Sequence, residues 1–457
     1  MTAPDELLAL AERALEHAGP EAQATVTAER SLLTRFARSA PTQATAVEGT
    51  DVEILSVCDG QTASAATTRL DPEALRTAAR TARRAAEALA ADGPGAYPGL
   101  PAPAPPAPAH AGFDAATAAL DPGTAGAALA AAFAAAQARG LEAFGAWSAG
   151  AVTTAVASTA GLREADAVTD AFLKVIARDT AGRSGFAART AVAAADIDPK
   201  AVAGDAVAKV DGAAPADLPP GAYPVVLDHA AVGTLLEFLG WLAFNGLAHA
   251  EGQGALCGRL GTAVAAPAIT LADVPGGPGT LPRAFDAEGV PKLALPLIEG
   301  GVARRVVHDT RSAALAGNGA ESTGHATAAG GGEEGPVPTN LVLAGGDAAG
   351  INALAAPIER GIYVTRLWYV NPVLPQEALL TGTTRDGTFL IEDGRITRPL
   401  RDVRFTDSAL RILAATEALT GGRRLVSEGD FYGRRLAHGV VCPALRAGGF
   451  RVTGSTD

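Results

Sequence analysis

The sequence predicts an α+β protein in which N-terminal and middle units of antiparallel sheet and helix precede a large β-rich C-terminal domain. Three observations carry that expectation. Between residues 24 and 68, apolar and polar residues alternate with turn breaks, flanked by two helical stretches, as half-buried antiparallel strands do. A second alternating set begins near residue 141, beyond a proline-rich segment. Past Pro219 the chain becomes a succession of short apolar runs separated by glycine turns.

Taken in order, residues 4–19 read as an acidic amphipathic helix. The stretch "LDPEALRTAARTARRAAEALAA" reads as a helix opened by Asp71 and Pro72. Together with the strands between them they make an N-terminal α+β domain over 1–92. Residues 93–112, "GPGAYPGLPAPAPPAPAHAG", are proline-rich and must be extended; without a flanking arginine they suit a stiff connector better than an SH3-type ligand. A middle α+β domain follows over 113–218, with a helix at "GTAGAALAAAFAAAQARG" and three alternating segments after it. The C-terminal domain, 219–457, opens with a long apolar helix and continues as short strands such as "TNLVLAGGD" and "GTFLIEDGRI". Between these strands, residues 316–338 form a glycine-rich loop, expected to be mobile or ordered only by a partner. A late helix is expected at "TDSALRILAATEALTG".

Composition narrows the function classes. With 48% hydrophobic and 19% charged residues the chain reads as globular, and aromatics at only 5% leave a core built from aliphatic side chains and close backbone approaches. The net charge of -12 is spread along the chain and argues against nucleic-acid and anionic-membrane partners. The first residues have neither the basic nor the apolar region of a signal peptide. The apolar run Val225–Ala250 is broken by His229, Glu237, Asn245 and glycines, and reads as a buried helix rather than a membrane span. Cys58, Cys257 and Cys442 are far apart, which predicts a reducing, cytoplasmic setting and excludes a zinc site built from cysteines.

The residues that invite a chemical reading begin at "LDHAAVGTLLEFLG", 227–240. A zinc hydrolase helix needs neutral imidazoles as ligands and a carboxylate as base. His229 is followed by Ala230, which has no base, and by Gly233 and Thr234 at the spacings where a second ligand belongs. Glu237 lies about two turns on, on the order of 10 Å along the axis. His249 with Glu251, His308 with Asp309, and His325 form no ligand pattern. His438 and Cys442 in an extended segment would stand about 13 Å apart. Chemistry alone leaves His229 as a helix-terminal histidine and predicts no catalytic, metal-binding or cofactor-binding residue.

In order along the chain, the motifs resemble the TldD/TldE (PmbA) metallopeptidase family. "HAAVGT" followed by Leu235, Leu236 and Glu237 is similar to the HEAVGH-x-x-E segment of TldD-type subunits, with Ala230 in place of the base and Thr234 in place of the second histidine. "CGRLG" at 257–261, "GNG" at 317–319, "PVPTN" at 336–340 and "PALRAGGFRVTG" at the end resemble further family segments. The TldD cysteine ligand would fall near Gly429, where this chain has "SEGDFYG". The resemblance implies a TldE-type subunit with a degenerate site at His229, Ala230 and Thr234 and no metal or cofactor of its own. Zinc is expected in a TldD-type catalytic partner, with which it would form a heterodimer enclosing a chamber for small or unfolded peptides or a peptide-like natural-product precursor. A stand-alone hydrolase using His229 or the Cys442/His438 pair, and a homodimeric binding or scaffold protein, are the alternatives.

Overall fold

A computed structural model describes residues 3–210, 212–317, 319–427 and 433–455. The N-terminal half is built on six strands: β1 (Ala22–Ala37), β2 (Ala40–Cys58), β3 (Gln61–Thr67), β4 (Glu142–Ser158), β5 (Arg163–Arg178) and β6 (Ser184–Ala191). They form one antiparallel sheet in the order β3-β2-β1-β4-β5-β6. The sheet-and-helix units expected on either side of the proline-rich segment are therefore not separate. β1 pairs with β4 along nearly its whole length, from Gln23 opposite Ser158 to Phe36 opposite Gly145. Separating them would strip one edge of β1 of its backbone partners. Residues 93–112 contain no helix or strand.

Period-two alternation gives this sheet two unlike faces. Ala24 and Val26 of β1, Ala155 and Ala149 of β4, and Ala171 and Leu173 of β5 face helices. Those helices are α1 (Pro4–Leu15) and α2 (Pro72–Asp92) at one end, and α4 (Pro122–Gln137) and α5 (Pro199–Val207) at the other, with the short α3 (Ala115–Ala118) between. Alanines in this layer let helix and sheet backbones approach closely. The intervening residues, among them Thr25, Thr27, Glu29, Ser31, Ser148, Asp166 and Asp170, turn to the opposite face, toward the C-terminal half.

Among the described residues the C-terminal half holds thirteen strands: β7 (Gly221–Leu227), β8 (Leu271–Asp273), β9 (Leu295–Glu299), β10 (Val302–Ala303), β11 (Asn340–Leu343), β12 (Arg360–Val364), β13 (Leu367–Leu374), β14 (Leu379–Thr384), β15 (Thr388–Glu392), β16 (Arg395–Pro399), β17 (Val403–Ser408), β18 (Thr416–Val426) and β19 (Gly439–Ser455). They form one mixed sheet in which β19 touches β7, β11, β17 and β18. Helix α6 (His229–Ala243) lies across it, with Val232, Leu235, Leu236 and Leu239 in the largest core cluster. The remaining helices are short: α7 (Gly246–Ala250), α8 (Thr310–Ala316), α9 (Ile351–Ala355) and α10 (Ala409–Ala414). The expected late helix is thus only α10; from Thr416 the chain joins β19 as β18, because backbone pairing with a buried strand outweighs local helix propensity. No helix among the described residues is long and apolar enough to cross a membrane.

Most of the glycine-rich loop, residues 319–338, is held by contacts within the chain. His325 is buried, with its Nδ1 2.9 Å from the Thr323 hydroxyl and its Nε2 3.4 Å from Asp273. Asn245 donates to the Glu334 carbonyl at 2.6 Å, and Ala329 packs beside Leu55, Val57 and Tyr97 of the N-terminal half. The sequence signal, many glycines and few large apolar residues, does not reveal partners this distant.

Buried polar groups join the halves. Arg435 enters the polar face of the first sheet, donating to both carboxylate oxygens of Asp170 at 2.7 and 2.8 Å and to the Ser148 hydroxyl at 3.1 Å. Glu29 accepts from its backbone N–H at 3.0 Å. A second junction stacks the Arg366 guanidinium against Phe186 and Trp368, 4.5 and 4.8 Å from their ring centres, while Asp386 accepts from Arg366 and from Ser184. At a third, Glu288 accepts from the backbone N–H and hydroxyl of Thr310 at 2.9 and 2.6 Å and meets the Tyr97 hydroxyl at 3.1 Å. Burial, and then the nearby Asp286 charge, push the Glu288 carboxyl up to about 8.

Two outcomes test these junctions. Arg435→Leu leaves Asp170 as an uncompensated buried carboxylate and should cost about 3–5 kcal/mol, read as a lower urea midpoint at unchanged slope; an unmoved midpoint contradicts the assignment. The native Glu288 carboxyl keeps its proton to about pH 8, whereas the unfolded one releases it near 4.5. The folded state therefore binds more protons across that window, and stability falls as pH rises through it. Melting temperatures of Glu288→Gln should lose part of that decline; a slope identical to that of the unaltered chain would count against it.

Candidate functional site

The start of α6 is set by Asp228, which follows β7 and caps the helix with extended backbone dihedrals (φ -70°, ψ 165°). Its Oδ1 accepts from the His229 backbone N–H and faces His229 Nδ1, both at 2.8 Å. Its Oδ2 accepts from Lys209 Nζ at 3.1 Å and from the Tyr363 hydroxyl at 2.6 Å. Burial alone would raise this carboxyl. The Lys209 charge and the bonds from His229 and Tyr363 outweigh it and hold the group well below the usual carboxylate range. The same contact, added to burial, lifts the Tyr363 hydroxyl well above its ordinary value.

The His229 Nε2 lies 3.3 Å from the Gly422 carbonyl oxygen; both ring neighbours are acceptors, so a neutral imidazole donates to one of them only. A metal-ligating imidazole needs one nitrogen lone pair turned to the ion. Ala230 offers a methyl group, and the Thr234 hydroxyl donates back to the Ala230 carbonyl at 3.0 Å. These three positions are therefore poor in zinc ligands, and no step can be routed through a metal here. The position near Gly429 lies outside the described residues. Among the described residues, no group of three or more His, Cys, Asp or Glu side chains is placed to hold a metal ion. Gly233 is where α6 meets β18, for a Cβ there would stand 2.5 Å from a Val426 methyl.

The other sequence candidates find separate partners. Cys442 is buried in β19 and donates to the His229 carbonyl at 3.3 Å; burial, and then the Asp228 charge, push its thiol well above the usual range. His438 faces Glu237 at 3.3 Å instead. Burial opposes charge on this imidazole, but Glu237 outweighs it and raises its affinity for a proton. Cys442 and His438 therefore do not form a nucleophile–base pair. The Cys257 sulfur comes 3.8 Å from His249 Nδ1, a contact with no sequence motif.

Around His229 the two halves leave a narrow crevice. Lys174 from β5, Arg189 from β6, Lys209 after α5 and Arg424 from β18 all line it, with Phe172, Phe186, Leu425 and Val426 as apolar walls. Asp205 lies 2.5 Å from Arg189 and 4.0 Å from Arg424. Sequence reasoning missed Lys209, Arg424 and Tyr363, which stand far from the helix in the chain. Only Asp228, an acidic residue just before a helix, carried a readable signal.

The comparisons agree with this architecture. Residues 220–454 match the model of the PmbA/TldA metallopeptidase C-terminal domain. Over 208 residues the chain is 28% identical to a metalloprotease of Methanothermobacter thermautotrophicus, covering 45% of this chain and 44% of that protein, so the match spans less than half of the relative's length. In fold the chain is similar to TldE from Thermococcus kodakarensis, with a TM-score of 0.84 at 20% identity, covering 98% of this chain and 99% of that one. It is similar also to a candidate modulator of DNA gyrase from Bacteroides thetaiotaomicron, with a TM-score of 0.81 at 20% identity over 99% of each chain. Since the matched domain takes in more than half of the sequence, this chain belongs to the PmbA/TldA metallopeptidase family, the TldD/TldE group.

Proposed function

We propose that this chain is a non-catalytic, TldE-type subunit of a cytoplasmic metallopeptidase. Its TldD-type partner would carry the zinc, and the pair would act on small or unfolded peptides or on a peptide-like natural-product precursor. The observation that carries this reading is the state of the helix start: Ala230 has no base, and the Thr234 hydroxyl, where a second ligand belongs, is bonded within its own helix. A hydrolytic zinc site needs three protein ligands and an open position for water, and these residues supply neither. The chain's own contribution is to shape. Buried ion pairs hold its polar sheet face against the C-terminal half, so that it can form one wall of a chamber and its dimer contacts. Exclusion by a closed wall selects short or unfolded substrates without a deep specificity pocket.

The test is reconstitution. The purified chain should contain no stoichiometric zinc by metal analysis and should cleave no peptide alone. Peptide hydrolysis should appear on mixing with a family member that has an intact H-E-x-x-x-H helix, together with a heterodimer on sizing. Stoichiometric zinc in the isolated chain, or hydrolysis by it that His229→Ala abolishes, overturns the reading. A stable homodimer indifferent to such a partner does so as well.

A further inference from the structure

We propose that the crevice beside His229 binds the terminal carboxylate of a peptide. The inference rests on the peptide-handling reading above and adds to it the end of the peptide that is recognised. Among the described residues four basic side chains line the crevice, Lys174, Arg189, Lys209 and Arg424, against two neighbouring carboxylates, Asp205 and Asp228. Asp228 is already saturated by His229, Lys209 and Tyr363. Asp205 is shared between Arg189 and Arg424, and its 4.0 Å approach to Arg424 leaves that guanidinium weakly neutralised. Lys174 has no carboxylate partner among the described residues; its ammonium stands 6.0 Å from the Phe172 ring centre. Burial, and then the charge of Arg424, depress the Arg189 guanidinium, as crowding of like charges requires.

This local excess of positive charge lies in a protein whose net charge is -12, so it is a property of the crevice and not of the surface at large. The four cations come from four separate elements, and three of them stand on the N-terminal half while Arg424 stands on the C-terminal half. An oxyanion between them would satisfy both. The crevice, about 40 Å³, has room for a carboxylate but not for a side chain, so the rest of the peptide would lie outside it along the flanking Phe172, Phe186, Leu425 and Val426. Thr190, Thr365 and Ser427 supply hydroxyls at the same crevice. A nucleic acid is excluded by the narrowness of the crevice and the surrounding negative charge.

Calorimetry on the full chain at low salt tests this, with acetyl-Ala-Ala-Phe as the free acid, its C-terminal amide, and inorganic phosphate as probes. The acid should bind at least tenfold more tightly than the amide, and added salt should weaken it. Lys174→Gln and Arg424→Gln, both at partly exposed positions, should each weaken the acid severalfold and leave the amide unchanged, while Arg424→Lys keeps most of the affinity. Equal binding of acid and amide, no binding of the acid at millimolar concentration, or unchanged affinity in both glutamine variants overturns the proposal. Phosphate binding more tightly than the acid would also overturn it, by assigning the crevice to phosphate. No partner subunit is present in this assay, so its outcome is separate from that of reconstitution.

Discussion

Asp228 takes four donors from three parts of the chain: the backbone and ring of His229 at the start of α6, Lys209 after α5, and Tyr363 on β12. A carboxylate removed from water without such partners would cost several kcal/mol or take up a proton, so the three parts must arrive together. That requirement sets the entry angle of α6, places His229 against the Gly422 carbonyl, and draws the N-terminal half onto the C-terminal sheet. The character of the candidate site follows from it, because the Asp228 carboxylate beside Nδ1 fixes the orientation of the His229 ring.

The other junctions obey the same constraint with different chemistry. Arg435 on Asp170 and Arg366 on Asp386 are each shielded from water, the first by hydroxyls of the polar sheet face and the second by aromatic rings. Pairs of this kind contribute little net stability relative to well-packed apolar residues, but breaking one leaves a buried charge. They act as registration contacts between the two halves.

Much of the architecture was legible from local patterning. The alternation in 24–68 and beyond 141 became β1 to β6, the Asp71–Pro72 pair opened α2, and the apolar run after Asp228 became the buried helix α6. Pairing across the proline-rich segment was not legible, because strand alternation says which face is buried and nothing about which strand lies alongside. The contacts of residues 319–338 were hidden for a related reason: His325 meets Asp273, and Asn245 meets Glu334, only in three dimensions. At the site, the missing base at Ala230 and the missing ligand at Thr234 could be read directly, whereas Lys209, Arg424 and Tyr363 could not.

The sequence by itself determined the α+β class, the family motifs in their order, and the absence of a base and second histidine beside His229. These are properties of adjacent residues, and local periodicity and residue chemistry are enough to establish them. Only the tertiary structure decided that "LDHAAVGTLLEFLG" begins at a saturated carboxylate, that Cys442 and His438 serve different partners, and that four cations from four elements converge beside His229. Burial and Coulomb interactions depend on distance in space, and residues hundreds of positions apart acquire that distance only when the chain folds.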